Sequence, residues 1–336
     1  MRTVIGKWRS RLAFTSVMVL GTLVLGACGT TNSPKPAQHT TINFGSFPGI
    51  TPVALLQADK TLEREGYTVN WLNFPGSLPT EAQAMASGSL DFAWGNTASA
   101  MTIFASAPGV GWLVGDSFTN ENAILVREGS GITKISQLTN QKVLTSTTKT
   151  AVVMEYDIAL AHAGVAASTN TLVLSGNATM GGVMASGAAN VALSYTPFSA
   201  EMVLSKTATV LATANQILGV KVPGDGIVVR QGFAKAHPQA VVAVLKAVIQ
   251  ADESIISKPT VADTVLAKFA GVPASVIRYS FSSGLIGMNK CLVPDMSNYE
   301  LLANLEEKDG FAPSGVNLVA FAKTFVNPTF AREAAG

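Results

Sequence analysis

Four short stretches rich in glycine and small hydroxyl residues carry the most legible chemistry of this chain. They are Gly45-Ser46, Gly76-Ser77, Gly95-Asn96-Thr97 and Ser146-Thr147-Thr148-Lys149-Thr150. Each lies where an apolar run gives way to a helical pattern. The first turn of a helix leaves backbone N–H groups unbonded and carries partial positive charge, so such a segment suits a small anion. The stretch ending at Thr150 carries four hydroxyls and one cation. Any one of the four also reads as an ordinary N-cap; four at equivalent strand ends point to a binding rim. Covalent chemistry finds much less support. His39, His162 and His237 have no second ligand at metal spacing, and His237-Pro238 suits a helix start with proline in the first turn. Residues 109–115 place their third glycine one residue too late for a dinucleotide turn, and neither a phosphate loop nor a Gly-x-Ser-x-Gly elbow occurs.

The elements that must position those stretches alternate along the chain. Apolar runs at 42–47, 69–74, 91–94, 111–114 and 123–126 read as strands, separated by helical patterns at 53–65, 80–87 and 97–105. A second series follows, with strands at 143–145, 172–174, 191–194 and 210–212 and helices at 151–163 and up to 186. Past a strand at 226–229 the chain is mostly helical, beginning near Pro238. This alternation predicts an α/β protein built on mainly parallel sheets, in which ligands sit beyond the carboxyl ends of the strands. Residues 85–94 (Met-Ala-Ser-Gly-Ser-Leu-Asp-Phe-Ala-Trp) recur 99 positions later at 184–193 (Met-Ala-Ser-Gly-Ala-Ala-Asn-Val-Ala-Leu). Each copy reads as a helix end, a glycine stop and a buried strand, so two lobes built on one plan are expected.

Composition narrows the class. With 336 residues, 48% hydrophobic and 13% charged, the chain is neither disordered nor a single small module. Residues 1–27 combine a basic head with an apolar run at 12–25, too short to span a bilayer, and predict a secretion signal. Leu25-Gly26-Ala27-Cys28 resembles the bacterial lipoprotein signal, which implies that Cys28 becomes the lipid-modified N-terminus. Residues 28–40 then form a flexible tether, and Cys291 has no disulfide partner. Removing Arg2, Lys7, Arg9 and Arg11 from 23 basic residues leaves 19 against 21 acidic ones, so no basic field remains for nucleic acid.

Read in order, the motifs resemble a known family. They are Asn43-Phe44-Gly45, Asn73-Phe74-Pro75-Gly76, the stretch at 87–93, Ala123-Ile124-Leu125-Val126, Ile135-Ser136-Gln137-Leu138 before Gln141-Lys142-Val143, Tyr195-Thr196-Pro197-Phe198, and Phe233-Ala234-Lys235-Ala236-His237-Pro238. The chain is similar in these to the substrate-binding lipoproteins of ABC importers for aliphatic sulfonates, taurine and nitrate, whose superfamily includes binders of thiamine pyrimidine precursors. The resemblance implies a two-lobed periplasmic-binding fold of type II with crossovers near 126–129 and 223–228. Lobe 1 would then comprise 41–127 and 226–336, and lobe 2 would comprise 128–225. It also implies a monomer without cofactor or metal that captures a small anion, closes around it and delivers it to a permease and its ATPase. Carried onto this sequence, the ligand-binding residues are Ser46, Gly76, Ser77, Asn96, Thr97, Thr147, Thr148, Lys149 and Thr150, with Phe47, Trp94 and Tyr195 as walls. Many relatives carry an acidic or amide residue where this chain has Thr196, which favours a plain sulfonate over an amino-sulfonate here, although Glu121 or Asp225 could supply the missing charge. Three alternatives stay open: a nitrate or pyrimidine-precursor binder, a sensory lipoprotein without a transporter, and a relative of a pyrimidine-synthesising enzyme. Secretion and the cysteine count argue against the enzyme.

Overall fold

In the computed structural model, residues 40–47, 49–74, 78–148 and 150–336 are described. The expected signal segment, the tether up to residue 39, Cys28, Gly76, Ser77 and Lys149 lie outside the described residues. Twelve strands run through the described residues in the order β1 (Thr41–Ser46), β2 (Thr68–Asn73), β3 (Phe92–Asn96), β4 (Gly111–Asp116), β5 (Phe118–Thr119) and β6 (Asn122–Arg127). They continue as β7 (Lys142–Thr145), β8 (Thr171–Leu174), β9 (Val191–Tyr195), β10 (Ala208–Thr213), β11 (Asp225–Arg230) and β12 (Gly287–Met288).

Ten of these strands make two sheets of identical plan, ordered β2-β1-β3-β11-β4 and β10-β6-β9-β7-β8. In the first, β1 is parallel to β2 and β3, while β11 enters antiparallel between β3 and β4. In the second, β7 is parallel to β8 and β9, while β6 enters antiparallel between β9 and β10. One strand per sheet thus runs against four that share a direction, and each inserted strand comes from the chain segment that has just left the other sheet. The expected first lobe runs to residue 127, whereas this pairing sets β6 in the second sheet. β6 belongs to the second sheet, so the chain first crosses at 117–121, and it returns through 214–224. Periodicity could not show this, because the apolar run of β6 would be buried equally well in either sheet.

The repeated sequence explains the symmetry of the plan. Both copies end a helix on a glycine in the left-handed region, Gly88 (φ 81°) and Gly187 (φ 76°), and then enter the third strand of their sheet. That strand is apolar and buried in both sheets, because helices cover both faces. Phe92 stacks on Phe44 at 5.3 Å, and Trp94 meets Phe118 edge-on at 5.8 Å, so Trp94 is a core residue rather than a ligand wall. The helical pattern expected at 53–65 is broken at Lys60 (φ 50°) into Val53–Asp59 and Thr61–Arg64. His237-Pro238 does start a helix, Pro238–Ser257, which buries one face against the first sheet.

The two crossing segments are tied to each other. Gly224 N–H donates to the Phe118 carbonyl at 2.8 Å, Ser117 N–H donates to the Asp225 carbonyl at 3.0 Å, and Asn120 N–H donates to the Val222 carbonyl at 3.2 Å. The described residues from 40 onward form one compact unit.

Candidate functional site

The carboxyl ends of β3 and β9 open into one cavity of about 210 Å³. Strand register determines what lines it. On the first sheet Asn96, the last residue of β3, pairs with Asp225, the first of β11. On the second, Tyr195 ends β9 opposite Asn122, the first residue of β6. Glu121 precedes Asn122 on the crossing segment, and its carbonyl accepts the Thr196 N–H at 3.2 Å, which draws Thr196 into the wall. The loop after β7 supplies Ser146, Thr147 and Thr150, and the helix Ala151–His162 points its first residues, Ala151 and Val152, at the same space. Phe47, Gly49, Ile50 and Leu78 close the apolar side. Gly95 leaves that side open, since a Cβ there would press on Leu78 and Phe47.

Of the residues expected from sequence, Phe47, Asn96, Thr147, Thr150, Tyr195 and Thr196 line this cavity. Ser46 instead lines a second hollow beside Trp71 and Lys268, because it ends β1 on the far side of β3. Thr97 is buried beneath the rim, its N–H donating to the Gly224 carbonyl at 2.9 Å. Thr148 is exposed and is not part of the cavity lining. Lining residues that sequence reasoning passed over include Ser99, Asn122 and Leu78. Asn122 carried a signal: it opens one inserted strand as Asp225 opens the other, but that equivalence is visible only after the strand swap is known.

The electrostatics of the cavity differ from those of the expected anion seat. Glu121 is buried and one of its oxygens, Oε2, has no hydrogen-bond donor. Desolvation raises its carboxyl well above the ordinary range, and the charge of Asp225 adds to the effect. Desolvation likewise pushes Asp225 up to about 7, against the lowering effect of Trp94 and Glu121. Tyr195 is raised to about 12 by burial and then by the charges of Asp225 and Glu121. Behind the wall, burial lifts Glu155 to about 8 although Asn122 donates to it at 3.1 Å. Glu81, buried under β1 and raised further by Asp225, reaches about 9. Among the described lining residues there is no Lys, Arg or His. Opposed to these acids is the positive end of the helix Ala151–His162, whose cap Thr150 makes no side-chain capping bond and whose Oγ1 is buried without a partner. Among the described residues, no group of three or more His, Cys, Asp or Glu is placed to hold a metal ion.

Two sheets of one plan, exchanging a strand each and enclosing a small cavity between their carboxyl ends, define a solute-binding protein of the periplasmic-binding fold. Residues 40–258 match the substrate binding domain of ABC-type glycine betaine transport systems, and the chain belongs to that family. No curated protein sequence matches it. Among solved structures, the alkanesulfonate-binding protein SsuA of Xanthomonas axonopodis pv. citri, bound to MOPS, superposes with a TM-score of 0.71 at 19% identity, over 86% of this chain and 98% of that one. The periplasmic nitrate-binding protein NrtA of Synechocystis PCC 6803 gives 0.70 at 17% identity, over 89% of each chain. The desulfurization enzyme DSZB gives 0.64 at 14% identity, over 88% of this chain and 98% of that one.

Proposed function

We propose that this chain is the exported solute-capturing subunit of an ABC importer, which closes its two sheets over one small solute and presents the closed form to a permease and its ATPase. The cavity carries the reading: residues from both sheets and from the first crossing segment line it, so a ligand there is held jointly and stabilises closure. At about 210 Å³ it is smaller than the cavities that take drug-sized ligands and suits a small solute. An acidic group on the solute suits the start of the helix Ala151–His162, with Thr147 and Thr150 as hydroxyl donors and Lys149 as the nearest cation in sequence. A sulfonate fits that end, in keeping with the sulfonate ligand of the SsuA relative. The desulfurization enzyme DSZB shows that the fold also carries an enzyme. In this reading the lobes are 41–116 with 225–336, and 122–213; Cys28 carries a lipid anchor, and the protein is monomeric.

The test is a thermal-shift panel of alkanesulfonates, amino-sulfonates, nitrate, pyrimidines and small amines, followed by calorimetry on each responder. One class should raise the melting temperature and bind with 1:1 stoichiometry. No response from any class would overturn the reading.

A further inference from the structure

The helix Ala274–Ser282 comes late in the chain, after β11 has returned to the first sheet, yet it packs into the cores of both sheets. Val276 and Tyr279, one turn apart, face the second sheet, and Val276 is buried there in one cluster with Leu125, Leu144 and Met202. Ile277 and Phe281, on the adjoining face of the same helix, enter the core of the first sheet. The two residues after Gly284 divide in the same way: Leu285 is buried with the second-sheet cluster and Ile286 with the first. The second-sheet element in contact with this helix is Phe198–Leu204, which follows β9. Gly271 (φ 72°) and Gly284 (φ 77°), both in the left-handed region, bound the helix.

The chain beyond it is bonded to the first crossing segment. β12 pairs antiparallel with β5, and the Asn120 side-chain amide donates to the Gly284 carbonyl at 2.8 Å. Asn289 N–H donates to the Ser117 carbonyl at 2.7 Å, and Asp116 N–H donates to the Leu292 carbonyl at 3.1 Å. Phe281 meets Phe118 edge-on at 5.9 Å. None of residues 271–293 lines the cavity.

Resting on the two-lobed reading above, we propose that residues 272–286 are a brace between the lobes: they hold the two sheets in the enclosed arrangement from outside the cavity and bias the solute-free chain toward closure. Lobes joined only by two crossing segments would swing apart at no apolar cost. Here, opening takes Val276 and Leu285 out of the second-sheet core and bares Met202 to water. The brace also cannot stay behind when the crossing bends, because β5 carries β12 with it through their shared ladder. Since the brace touches no solute, it sets the fraction of closed molecules and leaves the choice among solutes to the cavity.

Energy transfer between dyes on Gln83→Cys and Ala178→Cys tests this in the full chain carrying Cys28→Ser and Cys291→Ser. The two labelled positions are exposed, on the helices Leu78–Ala86 of the first lobe and Asn177–Ala185 of the second. Without solute, this parent should show one dominant high-transfer population. Val276→Ala combined with Leu285→Ala should shift molecules to a population of lower transfer. Ile277→Ala, on the first-sheet face of the same helix, should lower the melting temperature and leave the transfer unchanged. If the double variant does not melt cooperatively, Tyr279→Ala, half-buried in the same contact, replaces it and should move the transfer in the same direction. A parent already dominated by the low-transfer population would overturn the brace. So would unchanged transfer in the folded second-sheet variant, or an equal shift in Ile277→Ala. No solute enters the measurement, so silence across the solute panel removes the receptor reading without deciding the brace, and unchanged transfer removes the brace without touching the receptor reading.

Discussion

At equivalent places the two sheets put different chemistry on the same scaffold. Asn96 faces Asp225 where the first sheet meets the cavity, and Tyr195 faces Asn122 where the second does. At the far end of the same strands, Asp91 forms an ion pair with Arg230 at 2.6 Å, while its counterpart Asn190 accepts a hydrogen bond from Arg127 at 2.8 Å. The backbone bonds match: Arg230 N–H donates to the Asp91 carbonyl and Arg127 N–H to the Asn190 carbonyl, both at 2.8 Å. Backbone geometry has thus been kept in duplicate, while acidity has been concentrated in the first sheet. A sheet can be copied through its hydrogen-bond register and apolar face, which leaves the residues at strand ends free to differ.

The largest way to probe this asymmetry is pH. Glu81, Glu155 and Asp225 ionise near pH 4 in an unfolded chain but only at about 9, 8 and 7 in the folded protein. The folded state therefore binds more protons across that interval, and the stability these groups give at low pH is lost as pH rises. Urea denaturation of the ligand-free protein should show stability falling continuously between pH 5 and pH 9. Glu81→Gln should flatten the curve more than Glu155→Gln. Equal flattening would show that the two halves carry the same electrostatic burden and break the comparison.

A second probe acts at the far strand ends. Asp91 also accepts both the backbone and side-chain N–H of Asn43 at 3.0 Å, and its carboxylate is buried. Asp91→Ala should cost about 3 kcal/mol, because it leaves Arg230 without its counter-charge and Asn43 without an acceptor. Asn190→Ala removes one hydrogen bond from a partly exposed arginine and should cost about 1 kcal/mol. Chemical denaturation at pH 7 separates the two; similar losses would mean that the charge on Asp91 adds nothing to the duplicated geometry.

How far this was legible in the sequence varies by feature. The repeat of 85–94 at 184–193 placed β3 and β9 in equivalent positions, because helix end, glycine stop and buried strand are local signals. The hydroxyl runs led to Asn96, Thr147 and Thr150 for the same reason. The exchange of β6 and β11 was not legible: whether a strand returns to its own sheet depends on long-range pairing that periodicity does not encode. That exchange brings Glu121 beside Asp225, about a hundred residues apart, so their acidic cluster could not be read locally. Ser46 was misplaced for a related reason, since the sheet order puts β1 one strand away from the cavity rim.

The smallest probe compares the two helix starts at the cavity. The helix Thr97–Ala105 is capped by Asn96, whose side-chain oxygen accepts the Ser99 N–H at 3.0 Å. The helix Ala151–His162 begins after Thr150, which makes no such bond and keeps a buried hydroxyl unpartnered beside the cavity. One start spends its polar side chain on the helix, and the other leaves it for a ligand. Asn96→Ala should therefore lower folding stability by about 1 kcal/mol. Thr150→Val preserves shape and removes only the hydroxyl; it should change stability by less than about 0.5 kcal/mol while weakening solute binding by about 1 kcal/mol. Denaturation and calorimetry on the same two variants read both quantities. A loss of stability in Thr150→Val equal to that of Asn96→Ala would make Thr150 a structural cap and remove it from the binding rim, whereas a loss confined to affinity would assign the second helix start to the solute.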